Sequence, residues 1–189
     1  MPHPVVIVPG IFGSGPTHWQ TRWEQALPDA RRFAPSSWDE PDVDDWVAAI
    51  DRAIADAPTP PMVVAHSLGC LAVAEWAVRT DAAAARVAGV FLVAPPDPDA
   101  PAYPAGAAAF AIADGPLGVP AVVLASSDDP YAAPSRIASF AARWGAGLVE
   151  LGERGHVNAD SGLGEWPEGL RLLEDFTLTA RRAGGPPAG

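Results

Sequence analysis

The stretch "VVAHSLGC", residues 63–70, joins an apolar run to a helical pattern through a serine. Its first residues are apolar and β-branched, as in a buried strand, and an apolar helical pattern follows directly. Between them stands a small residue, any residue, serine, any residue and glycine, which is the pattern of a sharp turn from strand to helix. Ala65 and Gly69 take the two small positions, although glycine is more usual at the first. We therefore predict that Ser67 projects from the carboxyl end of a strand as a nucleophile.

Around this stretch, short β-rich apolar runs alternate with longer helical patterns, which is typical of an α/β domain with a mainly parallel sheet. We predict strands near residues 4–8, 31–36, 61–66, 87–94, 120–126 and 146–151. We predict helices near residues 17–27, 43–57, 68–80, 134–144 and 166–181. The predicted strand order is 2-1-3-4-5-6, with helices on both faces of the sheet.

The chain has 189 residues, of which 49% are apolar, and this is enough for one well-buried domain but short for two. We place that domain at residues 1–180 and expect the tail, "RRAGGPPAG" at 181–189, to be disordered. The proline-rich connection at 95–119 is the longest and is expected to border a pocket. No segment is long enough to form a large cap domain.

Charge and composition exclude several classes of function. The net charge is −11, and all twelve basic residues are arginine, so binding to nucleic acid or to an anionic membrane surface is not expected. The four histidines and the single cysteine have no metal-ligand spacing, so no metal site is predicted. Cys70 cannot form an intramolecular disulfide and is expected to pack in the core. The start, "MPHPVVIV", lacks the pattern of a signal peptide, and we expect a cytoplasmic protein.

The loop after the first predicted strand contains Gly10, Gly13 and Gly15. A phosphate-binding loop of the G-x-x-x-x-G-K type is excluded because the chain contains no lysine. The spacing G-x-x-G-x-G also departs from the dinucleotide fingerprint G-x-G-x-x-G. The remaining interpretation is that the backbone N–H groups of this loop face a reacting acyl group.

A serine needs a general base and a carboxylate that orients the base. His156 follows the sixth predicted strand in "GERGHVNADSG", residues 152–162. Asp128 and Asp129 follow the fifth in "ASSDDPY", residues 125–131, and either is a candidate. The order Ser, Asp, His along the chain is that of the α/β hydrolases. His66, next to the serine, is expected to face elsewhere.

In that fold, the oxyanion is bound by two backbone N–H groups. One belongs to the residue after the nucleophile, here Leu68, and the other to the loop after the first strand, here Ile11 or alternatively Phe12. We expect the substrate pocket to be bordered by Phe12, His18, Trp19 and Trp166.

Four segments resemble one family of proteins: "PGIFGSGPTHWQTRW" (9–23), "VAHSLGC" (64–70), "SSDDPY" (126–131) and "GHVNADSGLGEWPEG" (155–169). They are similar to the small single-domain α/β serine hydrolases related to retinoblastoma-binding protein nine. The resemblance implies an α/β-hydrolase fold without a large cap and a triad of Ser67, Asp129 and His156, and it favours Asp129 over Asp128. It also implies activity mostly on small esters.

Binding to a retinoblastoma-type partner does not follow from this resemblance. The motif for it is L-x-C-x-E, whereas Leu68 and Cys70 are followed by Ala72 in place of glutamate.

The sequence therefore predicts a serine hydrolase that cleaves a small-molecule acyl ester through a covalent intermediate on Ser67 and needs no cofactor. Two alternatives remain open. An amidase or peptidase would use the same triad on a poorer leaving group, and a binding module would recognise a ligand without turning it over.

Overall fold

The computed structural model describes residues 3–183. Six strands form one sheet in the order β2-β1-β3-β4-β5-β6, and every neighbouring pair is parallel. The strands are β1 (Val5–Val8), β2 (Ala30–Arg32), β3 (Met62–His66), β4 (Gly89–Val93), β5 (Ala121–Ala125) and β6 (Gly147–Glu150). The predicted parallel sheet and its strand order are confirmed.

The helices of the described residues are α1 (Trp19–Ala26), α2 (Val43–Ala55), α3 (Leu68–Arg79), α4 (Ala83–Arg86), α5 (Pro134–Trp144) and α6 (Pro167–Ala183). Helix α4 was not predicted, because four residues are too few to show a helical period. Helix α6 extends through Ala183, so the first three residues of the predicted tail are helical. Residues 184–189 of that tail lie outside the described residues.

Strand β2 is shorter than predicted. It ends at Arg32, and the N–H of Phe33 makes the last contact with β1 by donating to Ile7 O at 3.0 Å. Pro35 follows and has no N–H with which to continue the ladder. The chain therefore leaves the sheet before residue 36.

The sheet separates two apolar clusters because successive strand side chains point to opposite faces. Val6 and Val8 belong to a cluster that includes side chains of α2, α3 and α5. Val5 and Ile7 belong to the other, which includes side chains of α1 and α6. With both faces covered, the inner strands β1, β4 and β5 are apolar and almost wholly buried, as expected of a parallel sheet. The edge strands carry charged residues, namely Arg31 and Arg32 in β2 and Glu150 in β6.

All six strands run in the same direction, so their carboxyl ends meet at one edge, where the loops that follow them converge. The long connection at 95–119 contains one short 3₁₀ turn, Ala105–Ala107, and within the described residues no cap domain is inserted. None of the described helices has the length and apolar character required to cross a membrane.

Candidate active site

Ser67 occupies the turn between β3 and α3 in a strained backbone conformation. Its φ is 53° and its ψ is −128°, a region that residues with a Cβ rarely adopt. Its N–H donates to Val93 O at 3.0 Å, which ties the turn to the neighbouring strand. The surrounding structure thus holds the serine in the position that a nucleophile at a strand-to-helix turn requires.

Two glycines allow the loop after β1 to lie against this turn. A Cβ on Gly69 would stand 2.5 Å from Val8 O and 2.6 Å from Pro9 O, both backbone atoms. A Cβ on Gly10 would stand 2.8 Å from the Cβ of Ser67. The glycines are therefore needed for close approach of two backbone segments.

Three side chains predicted from the sequence are in contact at the edge of the sheet. The Oγ of Ser67 lies 2.8 Å from Nε2 of His156, and Nδ1 of His156 lies 2.9 Å and 3.0 Å from the two carboxylate oxygens of Asp129. The Asp129 side chain is 2% exposed. A carboxylate can only accept a hydrogen bond here, so Nδ1 carries the proton and Nε2 accepts from the serine hydroxyl. This is the arrangement of a nucleophile, a base and an orienting carboxylate.

Asp128, the other candidate, does not contact the histidine ring. Its Oδ1 accepts hydrogen bonds from Ser126 Oγ at 2.7 Å and from the N–H groups of Arg154 at 2.9 Å and Gly155 at 2.7 Å. Hydrogen bonds from Ser126 and Gly155 lower the pKa of Asp128. Asp128 thus fixes the backbone directly before His156, while Asp129 contacts the ring.

His66 has a contact that sequence reasoning missed. Its Nε2–H donates to the backbone O of His156 at 2.9 Å, and the two rings are 5.0 Å apart. The expectation that His66 faces away from the site is therefore wrong. Burial, followed by the nearby His156 and His18, holds the pKa of His66 well below its usual value, so the ring is a neutral donor. The contact joins residues 90 positions apart, and no local pattern reveals it.

The prediction that Trp19 and Trp166 line the cavity beside Ser67 is corrected. Trp19 lines neither cavity next to His156, whereas Trp166 borders an adjoining cavity of about 780 Å³ that also includes Tyr131 and His156. They are 1% and 2% exposed and pack with Trp23 in the cluster of α1 and α6. Trp19 instead donates its Nε1–H to Val157 O at 2.7 Å. The rings of Trp19 and Trp166 are thus buried beneath the site, where they support the loop that carries His156.

A cavity of about 280 Å³ opens beside Ser67. Phe12 and His18 belong to its wall, as predicted, and Phe12 is 69% exposed at its rim. Much of the rest of the wall is apolar or aromatic, including Ile11, Leu68, Pro96, Tyr103, Ala107 and Tyr131. The ring of Tyr131 lies 4.4 Å from that of His156. The volume is at the lower end of that of small-molecule sites.

Ile11 and Leu68, the two residues predicted to bind an oxyanion, both belong to this wall. Among residues 3–183, neither Ile11 N nor Leu68 N donates to an acceptor, whereas Phe12 N donates to Trp38 O at 2.9 Å. Leu68 is the first residue of α3, where the helix dipole favours negative charge. The structure therefore leaves Ile11 and Leu68 available to bind an oxyanion and excludes the alternative of Phe12.

Cys70 is not a rival nucleophile. It is fully buried, its Sγ–H donates to Val93 O at 3.3 Å, and burial raises the pKa of the thiol well above its usual value. In the part of the chain that the structure describes, no group of three or more His, Cys, Asp or Glu side chains is arranged to hold a metal ion.

Comparisons with known proteins agree with this geometry. The family model described as "Serine hydrolase" matches residues 5–175. A YdeN-like hydrolase from Pectobacterium atrosepticum is 34% identical, with 94% of this chain and 91% of that chain covered and a TM-score of 0.82.

Two further structures share the fold at lower identity. The ydeN gene product of B. subtilis is 23% identical, with 92% and 98% of the two chains covered and a TM-score of 0.74. The type II thioesterase BorB from the borrelidin biosynthetic cluster is 15% identical, with 94% of each chain covered and a TM-score of 0.69. None of the curated proteins compared with the chain is a significant match.

Proposed function

Because this chain belongs to the serine hydrolase family, we propose that it hydrolyses esters of small carboxylic acids through a covalent acyl-enzyme on Ser67. The observation that carries the proposal is the continuous contact from Ser67 Oγ through His156 to Asp129, with distances of 2.8 Å and 2.9 Å. A serine hydroxyl is a poor nucleophile unless a base in hydrogen-bond contact takes its proton.

In the first half of the reaction, Ser67 Oγ attacks the ester carbonyl carbon while Nε2 of His156 takes the hydroxyl proton. The carbonyl oxygen becomes an oxyanion, which accepts hydrogen bonds from the N–H groups of Ile11 and Leu68. The bond from the carbonyl carbon to the alcohol oxygen then breaks, and the leaving alkoxide takes the proton from Nε2. Asp129 stabilises the imidazolium and keeps the ring oriented.

In the second half, water attacks the acyl-Ser67 ester and gives one proton to Nε2 of His156. Collapse of the second tetrahedral intermediate returns that proton to Ser67 Oγ and releases the carboxylic acid. Both oxyanions use the same two N–H groups, and each such donor contributes about 10²–10³ in rate. The steps require no group other than water and the residues of the chain.

The size of the cavity supports a small acyl group as substrate. Its volume is about 280 Å³, and its rim is formed in part by the exposed ring of Phe12. The apolar wall of this cavity matches a short hydrocarbon chain better than a fatty acyl chain, and a larger cavity of about 780 Å³ adjoins it along Tyr131 and His156.

The test is hydrolysis of 4-nitrophenyl butyrate and of the matched anilide by wild type, Ser67→Ala and the surface control Ser139→Ala. We expect wild type and the control to hydrolyse the ester, and kcat/KM to fall by at least about 10³ in Ser67→Ala. Turnover of the anilide at a rate comparable to that of the ester would move the assignment to an amidase. No turnover of esters or anilides by folded wild type would contradict the proposal and favour a binding module.

A further inference from the structure

A second cavity adjoins the one beside Ser67, and the proposed reaction gives it no role. Its volume is about 780 Å³, against about 280 Å³ for the Ser67 cavity. Tyr131, His156 and Asn158 belong to the walls of both, so the two cavities meet at the catalytic histidine. We call the larger cavity the outer groove.

The reaction fixes which half of an ester faces this groove. The carbonyl oxygen must lie at the N–H groups of Ile11 and Leu68, which belong to the wall of the Ser67 cavity and not to that of the outer groove. The leaving alcohol oxygen must lie within hydrogen-bond distance of Nε2 of His156, which protonates it. Because His156 borders both cavities, an alcohol group that extends from this oxygen has the outer groove within reach, while the acyl group stays in the Ser67 cavity.

The walls of the two cavities differ in charge. Among residues 3–183, no Asp, Glu or Arg side chain belongs to the wall of the Ser67 cavity. The wall of the outer groove contains charged side chains of both signs, namely Glu153, Arg154, Asp160, Glu168 and Arg171. The Ser67 cavity therefore suits an apolar acyl group, and the outer groove suits a polar alcohol group.

Three of these charged side chains are available to a ligand. Arg154 lies 3.5 Å from Glu168 and is paired with it. Glu153, Asp160 and Arg171 are exposed, and in the described part of the chain their side chains form no ion pair and no hydrogen bond. The outer groove thus offers carboxylate acceptors and a guanidinium donor without loss of a contact within the protein.

Tyr131 and Asn158 add polar groups where the two cavities meet. The ring of Tyr131 lies 4.4 Å from that of His156. Oδ1 of Asn158 accepts from Asp160 N at 3.0 Å, which leaves its NH₂ group as a donor. Within residues 3–183, neither the Tyr131 hydroxyl nor this NH₂ group has a hydrogen-bond partner, and neither is among the fully buried polar atoms that lack one. Both groups therefore keep surface that a ligand can contact.

A polyhydroxylated group is complementary to this set of side chains. Each hydroxyl both donates and accepts, so it pairs with a carboxylate, a guanidinium, an amide or a phenol. An anionic group would be repelled by the three carboxylates of the groove wall and by the net charge of −11. A cationic group would be repelled by the two arginines of the same wall. A neutral group avoids both repulsions.

We propose that the outer groove binds the alcohol group of the substrate and that this group is neutral and polyhydroxylated, as in a sugar, so that the enzyme removes short acyl groups from hydroxylated carriers. The inference rests on the proposed ester hydrolysis at Ser67 and adds the class of alcohol. Tyr131 and Arg171 bind the alcohol group in this account and take no part in proton transfer.

The test compares a sugar ester with a hydrocarbon ester of similar shape. Methyl 6-O-butyryl-glucopyranoside and cyclohexylmethyl butyrate carry the same acyl group through a CH₂ attached to a six-membered ring. The ratio of their kcat/KM values, from titration of the released acid, is measured in wild type and in variants, and intrinsic reactivity cancels when these ratios are compared. A reversed pair, the butyl ester of methyl glucopyranosiduronic acid and butyl cyclohexanecarboxylate, places the same kinds of ring on the acyl side.

The variants are Tyr131→Phe, Arg171→Leu and the two combined. Phenylalanine keeps the ring beside His156 and removes only the hydroxyl, and replacement of the exposed Arg171 breaks no ion pair or hydrogen bond among residues 3–183. Arg182→Leu is the matched control, because Arg182 is also an exposed arginine of α6 without an ion pair among the described residues and is not part of the groove wall.

We expect wild type to favour the sugar ester over the hydrocarbon ester. This preference should fall about threefold in each single variant and about tenfold in the combined variant. Arg182→Leu should keep the wild-type ratio, and the ratio for the reversed pair should not depend on Tyr131 or Arg171.

Ser67-dependent turnover of 4-nitrophenyl butyrate reports on the proposed function separately. With that turnover present, this inference alone would be overturned by the lack of a wild-type preference for the sugar ester, by equal ratios in wild type and the combined variant, or by a loss confined to the reversed pair. A wild-type preference for butyrylcholine over 3,3-dimethylbutyl butyrate that exceeds the preference for the sugar ester would also overturn it, in favour of a cationic alcohol. Absence of Ser67-dependent turnover of every ester tested would overturn both the inference and the proposed function.

Discussion

Among the single residues of the site, Asp128 and Asp129 have the same side chain but different partners. Asp129 contacts the ring of His156, whereas Asp128 accepts backbone N–H groups from Arg154 and Gly155. The charge on Asp129 stabilises an imidazolium during the reaction, while Asp128 needs only an acceptor oxygen. The two positions therefore respond differently to the same substitution.

We expect Asp129→Asn to lower kcat by about 10³–10⁴, because the amide cannot stabilise the protonated ring or hold its tautomer. Asp128→Asn keeps an oxygen that can accept from Ser126, Arg154 and Gly155, so its kcat should fall by less than about tenfold. Steady-state hydrolysis of 4-nitrophenyl butyrate by both variants gives the comparison. A larger loss in Asp128→Asn than in Asp129→Asn would reverse the assignment.

His66 positions the base through the backbone of His156 and does not touch the reacting atoms in this account. In His66→Phe, the carbonyl of His156 loses its donor, and we expect kcat to fall by about tenfold to a hundredfold while KM changes by less than about threefold. His66→Gln places an amide N–H at similar reach and should recover part of kcat.

Steady-state kinetics and thermal unfolding of both variants test this role. Equal kcat in the Phe and Gln variants, at equal stability, would show that His66 contributes packing alone.

His18 also makes stability depend on pH. The folded state holds its pKa at about 4, against 6.5 for the ordinary side chain, so between these values the unfolded state binds more protons. The free energy of unfolding therefore rises with pH across that window and falls on acidification from neutrality. From pH 7 to pH 5, this residue alone should cost about 2 kcal/mol.

Urea unfolding of wild type and His18→Asn at the two pH values measures that contribution. His66, whose pKa is also lowered, remains in both proteins. A loss of stability equal in both proteins would show that His18 titrates normally.

At the scale of elements, the approach of α3 to the loop after β1 depends on Gly69. A methyl group there would meet two backbone carbonyl oxygens at 2.5 Å and 2.6 Å, and neither atom is at the end of a flexible side chain. We expect Gly69→Ala to lower the free energy of unfolding by about 1–3 kcal/mol and to displace Ile11 from Leu68, which would also reduce kcat.

The matched control is Gly15→Ala in the same loop, where an added Cβ meets nothing within 4 Å. Urea unfolding and ester kinetics of the two variants are compared. A Gly69→Ala protein as stable and active as the Gly15→Ala protein would contradict the proposed close approach.

Local patterns predicted the elements that hold the site, because strand periodicity, the turn around Ser67 and the order of Ser, Asp and His are properties of short segments. Contacts between distant segments were not predicted. The bonds from His66 to His156 and from Trp19 to Val157 cross 90 and 138 positions of the chain. Trp19 follows the glycine-containing loop after β1, but this position in the sequence does not show on which face of the sheet its ring packs.

For the whole molecule, the sheet edge without a large cap leaves a cavity of about 280 Å³ at Ser67 and a larger one of about 780 Å³ beside His156. The cavity volume of about 280 Å³ predicts that kcat/KM for 4-nitrophenyl esters is highest for short acyl chains and at least about tenfold lower for dodecanoate than for butyrate. Phe12→Ala removes the exposed ring at the rim. It should raise kcat/KM for the dodecanoate ester relative to that for the butyrate ester. A wild-type preference for dodecanoate would show that acyl chains bind outside this cavity.

If the fold activates Ser67 as a nucleophile, a fluorophosphonate will modify it, and the intact mass of the protein after incubation with this reagent shows whether it does. In this reaction, Ser67 Oγ displaces fluoride from phosphorus, so each modified chain gains one phosphonyl group and loses one proton. We predict a single adduct on wild type, located at Ser67 by peptide mapping, and none on Ser67→Ala. Folded wild type that remains unmodified, or an adduct that persists in Ser67→Ala, would contradict the claim.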